Sequence, residues 1–82
     1  MTRLLVEINV PSIGDRFDVL IPQDMTVEML SSLLKKSVIK LSDGLFVSTG
    51  AVLCDSNTGL ILDSNKTVAD IGLKNGSRLM LV

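Results

Sequence analysis

One stretch of helical spacing, flanked on both sides by stretches of strand spacing, leaves this chain very few architectures. From Val27 the apolar residues fall at Val27, Leu30, Leu34 and Val38, three or four apart, which puts them on one face of a helix. Thr26 is a good N-cap, Glu28 places a negative charge in the first turn, and Lys35 and Lys36 suit the C-terminal half, so the spacing predicts a helix over residues 26–38. Ahead of it, residues 4–10 (LLVEINV) alternate, Val6, Ile8 and Val10 pointing one way and Leu5, Glu7 and Asn9 the other. Residues 16–21 (RFDVLI) alternate again, with Phe17, Val19 and Ile21 inward. The short link Pro11-Ser12-Ile13-Gly14-Asp15 makes these two runs a β-hairpin, and Pro22 stops the second strand.

Beyond the helix the pattern is more broken. Residues 39–50 (IKLSDGLFVSTG) carry the breakers Asp43-Gly44 and Thr49-Gly50, and Leu45-Phe46-Val47 reads equally as a short strand or a packed loop. Residues 51–55 (AVLCD) read as a strand, Ser56-Asn57-Thr58-Gly59 as a turn, and Leu60-Ile61-Leu62 as a short return strand. Residues 67–72 form a helical turn ended by Gly72, and Asn75-Gly76 signals a tight turn. Residues 77–82 (SRLMLV) are the last strand, with Leu79 and Leu81 on one side and Met80 and Val82 on the other. A single amphipathic helix must cover one apolar sheet face, which is a two-layer α+β domain. The order ββαββ is the β-grasp arrangement: a mixed sheet of four to five strands packed on one helix. All 82 residues belong to one domain, with no internal repeat or linker, and the 46% hydrophobic content suffices for a folded core.

The residues offer little to chemistry. Eight basic and nine acidic residues are spread along the chain with a formal net charge of -1, so there is no basic block for a phosphate backbone and nucleic acid is not an expected partner. Histidine is absent, which removes the commonest general base and metal ligand. Cys54 is the only cysteine; it can form no internal disulfide and no zinc cluster, and it reads as a small core residue. Asp63-Ser64-Asn65 lacks the glycine and distal glutamate of a calcium loop, and the Ser42 and Ser48-Thr49 hydroxyls have no base beside them. No catalytic, cofactor-binding or metal-ligating residue is assigned, and the chain is expected not to be an enzyme. The opening MTRLLVEINV is too short and broken for a signal peptide, and no apolar run approaches the roughly 20 residues that span a bilayer. A cytoplasmic domain without membrane insertion is the expectation, unless it is excised from a larger membrane protein.

The informative signal is the face of the sheet away from the helix. With Val6, Ile8, Val10, Phe17, Val19, Ile21, Leu79 and Leu81 under the helix, Leu5, Leu20, Met80 and Val82 face out, and Leu53 is expected to join them. An apolar cluster of this kind on a small domain marks a partner site. The competing readings are that these side chains are scattered, that the 39–50 loop covers them, or that they join copies of the chain into a homo-oligomer.

The segment from Thr67 to Val82 resembles the closing segment of ubiquitin-like proteins, in which a T-L-x-D-x-x-I/L-x-x-G-x-x-L-x-L pattern builds a helical turn, a tight turn and the last strand. Pro22, Asp24 and Thr26 resemble the approach to the helix in that fold. Phe17-Asp18-Val19, Asp70-Ile71-Gly72-Leu73 and Asn75-Gly76 are most similar to YukD/EsaB, the small ubiquitin-like proteins of bacterial type VII (WXG100) secretion systems. That resemblance implies a cytosolic accessory or regulator whose partners are proteins, among them the secretion ATPase or a membrane component. The same fold forms the cytosolic domain of the EccD membrane component, which is the alternative. A sulfur carrier or protein modifier of this fold needs a flexible tail ending in Gly-Gly; Leu79-Met80-Leu81-Val82 lies inside the predicted strand, so that role is disfavoured.

Overall fold

The computed structural model describes residues 3–46 and 51–82. Within them the alternating runs become strands β1 (Arg3–Val10) and β2 (Asp15–Pro22), the helical run becomes α1 (Val27–Leu41), and the C-terminal third supplies β3 (Leu53–Asp55) and β4 (Arg78–Leu81). The four strands form one sheet in the order β2-β1-β4-β3. β1 and β2 pair antiparallel from Arg3↔Pro22 to Val10↔Asp15. β4 lies parallel to β1 (Ile8↔Leu79) and antiparallel to β3 (Leu53↔Leu81). The chain is thus the mixed-sheet β-grasp that its element order implies.

The core follows from the two periodicities meeting. Leu4, Val6, Ile8 and Val10 of β1 and Leu79 and Leu81 of β4 point to the helix side, where Leu30, Leu34 and Val38 of α1 close over them. Phe17 and Val19 of β2 pack against the same cluster from its edge. Complete burial of a side chain of this size stabilises by about 1.5–3 kcal/mol before ordering costs are subtracted. The hairpin turns through Pro11–Ile13 and closes at Gly14, whose φ of 65° lies in the left-handed region.

Local chemistry sets the helix ends. Thr26 Oγ1 accepts the Met29 N–H at 3.3 Å, so the expected N-cap is formed. The helix runs three residues past the expected stop at Val38, ending at Leu41. Its stop is the Asp43-Gly44 pair: Gly44 N–H donates to Ile39 O (2.9 Å), Asp43 N–H donates to Lys40 O (3.4 Å), and Asp43 takes a φ of 54°. These two bonds are the Schellman arrangement, with an aspartate where glycine is usual. Phe46 after it is buried in the core, so residues 45–46 act as a packed loop; residues 47–50 lie outside the described residues.

Two expectations need correction. The strand read over residues 51–55 is strand only from Leu53, although Val52 and Val82 exchange both backbone hydrogen bonds (2.7 and 2.9 Å). The return strand at Leu60-Ile61-Leu62 is reduced to an isolated bridge, Cys54↔Ile61, because β3 offers only three residues to pair with. Residues 67–72 make the expected helical turn: Thr67 and Asp70 cap each other reciprocally (Asp70 N–H to Thr67 Oγ1, 3.1 Å; Thr67 N–H to Asp70 Oδ2, 3.2 Å), Ile71 N–H donates to Thr67 O (3.3 Å), and the turn ends at Gly72, whose φ is 76°. Fully buried Val68 fastens this turn under the start of α1, its N–H donating to Met25 O. Asn75-Gly76 makes the expected turn and is also a clasp: Asn75 Oδ1 accepts the Leu5 N–H (2.8 Å), and Gly76 N–H donates to Leu5 O (2.8 Å).

Candidate protein-binding face

The side of the sheet away from α1 is built by the residues that alternate with the core. Registers place them in rows across the strands. Leu20 of β2 stands directly opposite Leu5 of β1. Asp18, Glu7 and Arg78 form the next row, and Arg16, Asn9, Met80 and Cys54 the one after. Val82 and Val52 lie beyond, joined by their paired backbone bonds.

Leu5 (46% exposed), Leu20 (61%) and Val82 (46%) are open to solvent as expected, and Met80 is half-buried. Leu53 is not part of this face. It is 3% exposed and pairs with Leu81 in the core. The reason is register: Leu53↔Leu81 and Cys54↔Met80 fix the alternation, so Cys54 takes the outer side. Cys54 is nonetheless buried, between its two cross-strand partners Met80 and Ile61.

The four outward residues do not form one patch. The Leu5 row and the row of Asn9 and Met80 are four residue steps apart along β1, about 13 Å at strand rise. Charged side chains occupy the gap: Glu7 lies 3.9 Å from Arg16 and 3.6 Å from Arg78. Both arginines are about 70% exposed, so each pair contributes well under about 1 kcal/mol to stability. Their effect is to divide the face. Leu5 and Leu20 make one apolar end; Met80, Val82, Val52 and exposed Ile61 make the other. A partner that covers both must set polar groups against the arginine–glutamate band.

The sequence reading missed a second apolar feature. A groove of about 360 Å³ runs between β2 and α1, lined by Val19, Leu20, Ile21, Met25, Leu30, Leu33, Leu34 and Ser37. The available signal was the run Met29, Leu33, Ser37, Leu41, spaced by four and displaced from the core face of the helix; its three apolar members are all exposed. A smaller recess of about 260 Å³ lies on the other flank of α1, between Ser31, Lys35 and the Ile61–Leu62 segment. Among the described residues no charged side chain is buried, the Ser56 hydroxyl is a buried polar atom without a partner, and no three His, Cys, Asp or Glu residues converge as metal ligands would. The geometry supplies surfaces for contact.

Comparison with known proteins gives the family and the fold. The family model described as "WXG100 protein secretion system (Wss), protein YukD" matches residues 5–81. No curated protein matches the chain. Among solved structures, the ubiquitin-like domain of Plasmodium falciparum Dsk2 is 22% identical with a TM-score of 0.76, covering 99% of this chain and 97% of that one. The EccD5 ubiquitin-like domain from Mycobacterium xenopi is 17% identical with a TM-score of 0.75, covering 100% and 94%. A chain of the MycP5-free ESX-5 inner membrane complex is 18% identical with a TM-score of 0.75; all of this chain matches 21% of that longer one. At these identities the structural matches establish the ubiquitin-like fold.

Proposed function

Since the chain belongs to the YukD family of the WXG100 protein secretion system, we propose that it acts there as a cytoplasmic ubiquitin-like accessory or regulator, binding another protein noncovalently through the outer face of its sheet. The observation that carries the reading is that face itself, which leaves Leu5, Leu20 and Val82 exposed on a domain with no buried charge and no ligand cluster among the described residues. Apolar residues displayed in this way cost solubility unless they meet a partner. The two apolar ends and the intervening Arg16–Glu7–Arg78 band suit a protein surface with apolar contacts at both ends and polar groups between. The secretion ATPase and a membrane component of the apparatus are the proposed partners.

The test is affinity isolation from cells that run the secretion system, with secretion measured in a deletion strain. Recovery of a secretion component by the wild-type chain, and its loss with Val82→Asp or Leu20→Asp, supports the reading. Failure to recover any component, together with unchanged secretion on deletion, overturns it. A second reading, a cytosolic domain of an EccD-like membrane component, is favoured by the likeness to the EccD5 domain. The length of the full gene decides between the two.

A further inference from the structure

Among the described residues the sheet has one covered edge and one open edge. β3 is covered by the segment after it, through Asp55 N–H to Leu60 O (2.9 Å) and Leu62 N–H to Leu53 O (3.0 Å). β2 is the other edge. On its neighbour β1, the Leu5 and Glu7 N–H groups bond toward β4, to Asn75 Oδ1 and Ser77 O, so Leu4, Val6, Ile8 and Val10 serve the hairpin ladder. Their partners are Ile21, Val19, Phe17 and Asp15. The backbone groups of Arg16, Asp18 and Leu20 therefore point away from the sheet. The Arg16 N–H is held by its own Asp15 Oδ1 (2.8 Å), and the Asp18 and Leu20 donors meet no acceptor among the described residues.

Electrostatics single out Asp18. Across the hairpin it faces Glu7, a like charge directly opposite, and among the described residues it is within ion-pair reach of no cation. Arg16, two residues away on the same side of the strand, reaches Glu7 only at 3.9 Å.

We propose that β2 is a self-association edge: two copies join antiparallel about a two-fold axis passing by Phe17, making one continuous eight-stranded sheet with both helices on the same side. The charges select this register. An axis at Asp18 opposes two aspartates. An axis at Val19 sets Asp18 against Leu20 and Arg16 against Pro22. An axis at Phe17 sets each Arg16 opposite the other copy's Asp18, twice by symmetry, and supplies the cation that Asp18 lacks in its own chain. In that register each Asp18 N–H donates to the partner's Arg16 carbonyl. The two half-buried Phe17 rings come together as a non-hydrogen-bonded pair, where strands approach most closely. Above the joined edge, the exposed flank of α1 at Met29, Leu33 and Leu41 faces its own copy. This surface is separate from Met80 and Val82, which remain free for another protein.

Analytical ultracentrifugation from micromolar to millimolar concentration tests the proposal. The mass is expected to rise with concentration from the 8.8 kDa monomer to twice that. Asp18→Arg or Arg16→Asp alone brings like charges together at two symmetric positions and weakens Kd about tenfold or more. The double swap Arg16→Asp/Asp18→Arg restores association, which also shows that the exchanged side chains are compatible with folding. Amide exchange at Asp18 slows as concentration rises. A chain that stays monomeric throughout overturns the proposal. So does a dimer indifferent to both single swaps, or one broken by Met80→Asp and not by Asp18→Arg.

Discussion

Replacing Leu53 and Leu20 separately by alanine separates the two sides of the sheet energetically. Leu53 is 3% exposed, pairs with Leu81 and belongs to the core cluster. Leu20 is 61% exposed on the outer face. Truncating leucine to alanine removes three carbons, about 2–2.5 kcal/mol of transfer free energy when they are buried. Incomplete collapse around the missing atoms adds to this, and buried Leu→Ala changes span about 2–5 kcal/mol in total. β3 is only three residues long and its covering segment is held by a single bridge, so the site can relax partly; about 2.5–3.5 kcal/mol is expected. For a domain of this size, with a total stability of about 4–12 kcal/mol, that is a large fraction. Leu20→Ala should cost no more than about 0.5 kcal/mol. Urea denaturation followed by circular dichroism reads both differences at an unchanged m-value. Equal costs for the two substitutions, or a Leu53→Ala variant as stable as wild type, would refute the assignment of Leu53 to the core and with it the register of β3 on β4.

Other positions give sharper local tests. Thr26→Ala removes the acceptor for the Met29 N–H and should lower stability by about 1 kcal/mol, whereas Thr26→Ser should recover most of that in the same denaturation experiment. Asp43→Gly relieves a left-handed backbone at the helix stop, and a gain of about 0.5 kcal/mol in the unfolding free energy is expected; a loss would show that the aspartate side chain contributes more than its strain. The Cys54 thiol, buried between Met80 and Ile61, should react with an aromatic disulfide reagent far more slowly in the native protein than in urea, and immediate labelling of the native chain would contradict its placement.

The first half of the chain was legible because each of its elements has a clean period. Val6, Ile8 and Val10, then Ile21, then Leu30, Leu34 and Val38 lie in the core as their spacing requires, with Phe17 and Val19 half-buried against its edge. The helix end was misplaced by three residues because the apolar face fades after Val38, while the stop is written in Asp43-Gly44. The second half was harder because it is held by turns and isolated bonds, such as Asn75 on Leu5 and Thr67 on Asp70, which carry no period. Leu53 illustrates the difficulty: in a three-residue strand flanked by Val52 and Cys54, hydrophobicity cannot say which side faces in, and only pairing with β4 decides. The outer face was legible residue by residue at Leu5, Leu20, Met80 and Val82. Its division into two ends was not, because that depends on the parallel register bringing Arg78 beside Glu7. The groove beneath Leu33 went unseen because Met29, Leu33 and Leu41 read as solvent-facing once the core stripe had been chosen.

The proposed contact joins this member of the YukD family to a component of a secretion system through the outer sheet face. The most direct measurement is the Kd of a purified secretion component for the wild-type chain and for Val82→Asp and Leu20→Asp, with thermal melts confirming that each variant is folded. A charge set into a buried apolar contact is predicted to weaken binding at least about tenfold for one or both substitutions, while leaving the melt nearly unchanged. Wild-type affinity in both folded variants would contradict the claim and move the binding site elsewhere on the domain.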